Sequence, residues 1–127
     1  MSSFPLYCLI DDDEISNLIS ATIIQKVTNA QVVTFTRASE ALEYLQHTER
    51  LPDAIFLDIN MPEMNGWEFL EALETLPDAI KDMLQIYMLS SSIDIEDQRK
   101  AETYKRVKGY IAKPLSPDKM MTTVASS

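Results

Sequence analysis

Short apolar runs recur along the chain, and most are followed by a polar stop and then by apolar positions at helical spacing. Leu6–Ile10 stops abruptly at Asp11-Asp12-Asp13-Glu14. Beyond it, Ile15, Leu18, Ile19, Thr22, Ile23 and Val27 fall on one face, the pattern of a helix laid against a core. Residues 32–35 are β-branched and aromatic, and Ala38, Ala41, Leu42 and Leu45 then repeat the helical period, with Ser39 and Glu40 near its start. Pro52-Asp53 opens a third strand, Ala54–Leu57. After a loop over 62–66, the residues Gly66, Phe69, Leu70, Leu73 and Leu76 form a third helical stripe that Pro77 stops. A fourth strand over 84–89 ends in Ser90-Ser91-Ser92, and a fifth, Val107–Ala112, ends at Lys113-Pro114.

Two helical segments are weaker. Over 95–106 only Ile95, Ala101 and Tyr104 make a broken apolar stripe among charged residues, which predicts either a lightly packed, easily shifted helix or simply an exposed surface helix. The last segment caps at Ser116 with Pro117 in first position and offers Met120, Met121 and Val124 to the core as a short helix.

Strands alternating with helices predict an α/β fold, a five-stranded parallel sheet with helices on both faces, because parallel strands need crossover connections and these are right-handed. Ligands of such sheets bind outside the carboxyl ends of the strands. That rule gathers Asp11 and Asp12 (strand one), Asp58 (strand three), Ser90 (strand four) and Lys113 (strand five) on one rim.

Composition narrows the classes. With 127 residues the chain has room for one domain, 1–127, and one core. Its formal charge of -9 argues against a nucleic-acid surface and suits a basic or metal-bearing partner. No apolar run is long enough to span a bilayer, and residues 1–5 lack the basic start and apolar stretch of a secretion signal, so a cytoplasmic chain is expected. The single cysteine, Cys8, sits inside an apolar run and reads as a core thiol. The lone His47, near a helix end, reads as a surface histidine.

Three carboxylates at one strand edge repel each other and require a cation or raised pKa values. Oxygen-only donors favour a hard ion, and Mg2+ fits because it takes a few carboxylates and completes its shell with water or phosphate oxygens. A calcium loop does not fit, since residues 11–22 carry neither the glycine nor the glutamate that such a loop requires. A carboxylate can also take a phosphoryl group as an acyl phosphate where cations and donors meet the spreading charge. Asp58 is placed to accept it, with a metal held by Asp11 and Asp12, Lys113 as a movable charge and the Ser90 hydroxyl as a donor. Each residue also has a simpler reading: Asp11 or Asp12 as helix-start acids, Ser90 as a turn hydroxyl, Lys113 as a solvated lysine. Asp13 reads as a helix-start residue.

Together, Asp11-Asp12, Leu57-Asp58-Ile59-Asn60-Met61-Pro62-Glu63-Met64-Asn65-Gly66, Leu89-Ser90-Ser91 and Gly109-Tyr110-Ile111-Ala112-Lys113-Pro114 resemble the receiver domain of two-component response regulators, from Tyr7 to about Val124. The resemblance implies the flavodoxin-like three-layer sandwich with strand order 2-1-3-4-5. It implies that Asp58 takes a phosphoryl group from a histidine kinase or phosphotransfer protein. Asp11 and Asp12 would hold Mg2+ with Asp58 and the backbone carbonyl of Asn60, while Ser90 and Lys113 contact the phosphoryl group. Ser90 and Tyr110 would act as the switch, altering the surface of the fourth helix, fifth strand and fifth helix toward an unidentified protein target. The chain would be a signalling switch, a monomer or weak dimer, catalysing only its own phosphorylation and dephosphorylation. Asn60 and Ser92 would gate water and so set the phosphoryl lifetime. Ser90 stands where threonine is commoner, and Leu115 where many members have phenylalanine. Two other classes compete. A dehalogenase-type hydrolase expects an aspartate two residues after Asp58, where this chain has Asn60. A pseudo-receiver, a binding module of the same fold, would typically lack an acid or the lysine.

Overall fold

The computed structural model describes residues 4–91 and 94–123. Strands β1 (Leu6–Ile10), β2 (Gln31–Phe35), β3 (Ala54–Leu57), β4 (Ile86–Ser90) and β5 (Val107–Ala112) form one parallel sheet in the order β2-β1-β3-β4-β5. The helices are α1 (Glu14–Val27), α2 (Ala38–His47), α3 (Gly66–Leu73), a single turn α4 (Asp78–Lys81), α5 (Ile95–Glu102) and α6 (Pro117–Thr123). The α4 turn was not expected from the sequence, so the fourth and fifth helices of the sequence reading are α5 and α6.

Because side chains alternate along a strand, each strand feeds both faces of the sheet. Cys8, Ile10, Ile55, Leu57, Ile86 and Met88 pack under α2, α3 and α5. Tyr7, Leu9, Phe56, Tyr87 and Leu89 pack under α1 and α6, with the rings of Tyr7, Phe56 and Tyr87 in a row. Cys8 is fully buried, and burial pushes its thiol up to about 12, so it is an inert core residue.

Three expectations need correction. The stripe read along α1 faces the core only in its second half: Ile23 and Val27 pack against it, while Ile15, Leu18 and Ile19 are 67%, 67% and 52% exposed and Asn17, Ser20 and Ile24 are buried. The inward face starts with the polar Asn17 and Ser20 and continues with Ile24, and Asn17 faces inward because it has backbone to bind there. In α6, Met120 is buried but Met121 is 56% exposed; Val124 lies outside the described residues. The helix expected over 95–106 ends at Glu102, where the Thr103 hydroxyl donates to the Lys100 carbonyl. Beyond it, Arg106 turns inward to Glu74 at 2.8 Å, Asp82 at 3.3 Å and the Lys81 carbonyl at 3.0 Å, a buried cation satisfied by carboxylates and backbone.

The weak anchoring of that helix is as expected. Ala101 is its one buried residue among those described. Its second hold is lateral, for the Tyr104 ring stacks on Trp67 of α3 at 5.9 Å and the Lys100 ammonium lies 4.7 Å from the Trp67 ring. No helix of the described residues is long and apolar enough to cross a membrane.

Candidate functional site

Backbone hydrogen bonds extend the ladders past the carboxyl ends of the strands and fix the rim. The Asp11 N–H donates to the Phe35 carbonyl at 3.0 Å, that of Asp58 to Ile10 at 2.9 Å, and that of Lys113 to Ser90 at 2.9 Å. Asp11, Asp58 and Ser90 are buried, Lys113 is half-buried and Asp12 is exposed. Carboxylate oxygens of Asp11, Asp12 and Asp58 lie within 4.8 Å of one another.

Lys113 Nζ donates to Asp11 Oδ2 at 2.5 Å and lies 3.8 Å from Asp58 Oδ2. An ammonium thus sits among the acids and offsets part of their repulsion. Asp58 holds its own proton more firmly than usual, up from 3.8 to about 6. Burial is the main cause; the Lys113 charge and the Asn60 N–H oppose it, and the charges of Asp11 and Asp12 add to it. Three carboxylates carry more negative charge than the one ammonium offsets, and oxygen donors alone suit a small hard divalent cation, so the residues present fit Mg2+.

The rim brings together Asp11, Asp12, Asp58 and Lys113, with Ser90 buried at the end of β4. Asn60 is exposed in the loop after β3 and donates its N–H weakly to Asp58 Oδ1 at 3.5 Å. Tyr110 is half-buried on β5, opposite Met88. Ser92 lies outside the described residues. Asp13 caps α1, accepting the N–H groups of Ile15 at 2.9 Å and Ser16 at 3.4 Å, which is its expected helix-start role.

Several supporting residues escaped the sequence reading. Asn17 donates to the carbonyls of Asp11 at 3.0 Å and Phe35 at 3.2 Å, tying α1 to the ends of β1 and β2. The Ser16 hydroxyl donates to Asp11 Oδ2 at 2.8 Å. A polar pair in an otherwise apolar helix next to Asp11 was the available signal. The loop carrying Asp58 is fastened at its far end by a capping box, Asn65 with Glu68, and by Gly66, whose N–H donates to the Ile59 carbonyl at 2.8 Å. Midway, Glu63 pairs with Arg37 and accepts from Ser39.

This sheet order and this rim define a class that comparison with known proteins identifies. The family model of the response regulator receiver domain matches residues 8–125, and the chain belongs to that family, a component of two-component signalling. A crystal structure of a two-component response regulator from Cytophaga hutchinsonii is 32% identical, covers 98% of this chain and 97% of its own, and superposes with a TM-score of 0.89. Chemotaxis response regulator CheY4 of Vibrio cholerae, at 23% identity and a TM-score of 0.81 over 98% of both chains, shows the same fold. Response regulator Rre1 of Synechocystis is 29% identical over 94% of this chain and 50% of its own length. A probable histidine kinase 5 of Oryza sativa subsp. japonica is 31% identical over 67% of this chain and 7% of its own length. The chain therefore spans half or less of the length of these two curated relatives.

Proposed function

We propose that this chain works as a single receiver unit in the cytoplasm, accepting a phosphoryl group on Asp58 from a histidine kinase or phosphotransfer protein. The observation that carries the reading is Lys113 lying between Asp11 and Asp58 on a rim that already concentrates three carboxylates. One Asp58 carboxylate oxygen forms a bond to phosphorus as the bond from phosphorus to the donor's histidine nitrogen breaks, and the electron pair leaves with that nitrogen. The product is an acyl phosphate. Asp11, Asp12, Asp58 and the Asn60 backbone carbonyl would hold Mg2+, which, when bound, neutralises charge on the phosphoryl oxygens. Lys113 leaves Asp11 to meet a second phosphoryl oxygen, and the Ser90 hydroxyl meets a third.

Output runs through α5. A helix held by Ala101 and a lateral aromatic stack is inexpensive to shift, and Ser90 connects the site to the strand beside Tyr110. The surface of α5, β5 and α6 would then change its affinity for a downstream protein.

Intact mass after incubation with acetyl phosphate tests the reading. One phosphoryl addition is expected with Mg2+, none without it, and none in Asp58→Asn under either condition. A folded, magnesium-binding protein that gains no mass would be a receiver-shaped binding module instead.

The outward face of α1 is where we place the donor protein, since Ile15, Leu18 and Ile19 leave an apolar strip exposed on the helix that starts at the rim. Burying a leucine there is worth about 2 kcal/mol. Leu18→Glu is therefore expected to slow transfer from whichever phosphohistidine domain best labels the wild-type chain by at least about tenfold relative to transfer from acetyl phosphate. Equal slowing with both donors would remove α1 from the docking surface.

A further inference from the structure

The two central acids of the rim are held very differently. Asp58 receives the Asn60 N–H at 3.5 Å and has Lys113 at 3.8 Å. Asp11 receives the Asp13 N–H at 3.0 Å on Oδ1, and on Oδ2 both the Ser16 hydroxyl at 2.8 Å and the Lys113 ammonium at 2.5 Å. Of the two donors on Oδ2, Lys113 is a long flexible side chain that the proposed chemistry requires elsewhere. Ser16 has no such freedom, because its helix is fixed on both sides of it: Asp13 caps the first turn, and buried Asn17 ties the next residue to the carbonyls of Asp11 and Phe35.

From this we infer that Ser16 is a positioning residue for the acidic site, its hydroxyl holding the Asp11 carboxylate in a ligand-ready orientation whichever partner Lys113 takes. The inference rests on the receiver reading and deepens it. A hydrogen bond from a hydroxyl to a carboxylate that ligates a metal restricts the carboxylate's rotation, and outer partners of this kind typically change metal affinity by about 10–100-fold. Ser16 is half-buried and its side chain donates to one acceptor, Asp11, so removing its oxygen disturbs little else.

Calorimetric titration of MgCl2 into the unphosphorylated protein tests this without reference to turnover. Ser16→Ala and the size-matched Ser16→Cys are each expected to raise the magnesium dissociation constant about tenfold. Ser16→Thr, which keeps the hydroxyl, is expected to stay within about twofold of wild type, a rescue that a purely packing role would not produce. Urea unfolding run alongside shows that the variants are folded. Magnesium binding that is unchanged in both Ser16→Ala and Ser16→Cys overturns the inference and leaves the receiver reading intact. A wild-type protein that takes up no magnesium overturns the reading itself, and the inference with it.

Discussion

In metal-free buffer at pH 7.5, Asp58→Asn is expected to be more stable than wild type by about 1–2 kcal/mol, with the difference vanishing below about pH 4. Asp58 is a carboxylic acid whose folded pKa, about 6, lies above its ordinary 3.8. Between those values the folded chain binds more protons than the unfolded one, so wild-type stability falls as pH rises through that window and is lowest above about 6. A tenfold change in proton affinity is worth about 1.4 kcal/mol, which sets an upper limit of about 3 kcal/mol. Water at the open rim screens part of that. Asparagine carries no such charge, and its stability should cross the window almost flat relative to wild type. Urea unfolding at pH 4, 5, 6 and 7.5 measures the difference. Added MgCl2 should raise the wild-type midpoint at pH 7.5 far more than the variant's, because in the proposed site the ion would bind the folded state through the carboxylate the variant lacks. A variant no more stable than wild type at pH 7.5 would mean that Lys113 already neutralises the rim.

That cost explains why the site was legible before the fold was in hand. Buried acids are destabilising unless something compensates them, so apolar strands that end on Asp58 and on Asp11 mark the rim as a place to look for a compensating charge. The sheet was equally open to reading: β1 and β3 begin and end where their apolar runs do, since a strand covered on both faces must be apolar throughout, and the edge strand β5 keeps its expected bounds although it carries exposed Lys108. The helices were less legible. Periodicity in α1 correctly marks a helix, yet Ile15, Leu18 and Ile19 of its apolar stripe face outward, because hydrophobic spacing alone does not distinguish a core-facing position from an exposed one. The α4 turn escaped because Pro77, read as a helix stop, lies at the start of α4 while α3 already ends at Leu73, and a single turn leaves no period to detect. At the rim, Asp11, Asp12, Asp58 and Lys113 converge as expected from their strand ends, while Ser16, Asn17 and Arg37 act through tertiary hydrogen bonds whose partners are distant or ambiguous in sequence.

Gly66→Ala is expected to slow phosphorylation from acetyl phosphate by about 100-fold and to cost about 1–3 kcal/mol of stability. Gly66 opens α3, and a helix start by itself would welcome alanine, which is the better helix former by about 1 kcal/mol. Space decides the other way. A Cβ at this position would meet the Asp58 carbonyl oxygen at 2.8 Å and the Ile59 Cα at 2.9 Å. Both obstacles are backbone, so no side chain can turn aside. The chain at Asp58 and Ile59 must retreat from α3 by about half an ångström, and the Gly66 N–H bond to Ile59, now 2.8 Å, resists that movement. Asp58 sits at the point displaced. In the proposed transfer its carboxylate would meet phosphorus in line while Lys113 and the hydroxyl of Ser90 face the transferring oxygens, and those partners lie at the ends of β4 and β5, which the substitution leaves in place. Stability and rate should therefore separate: a urea midpoint moderately lowered, with a rate loss much larger than the fraction unfolded explains. A rate that falls only in proportion to the unfolded fraction would show that the approach of Gly66 packs the helix without aiming the phosphoacceptor.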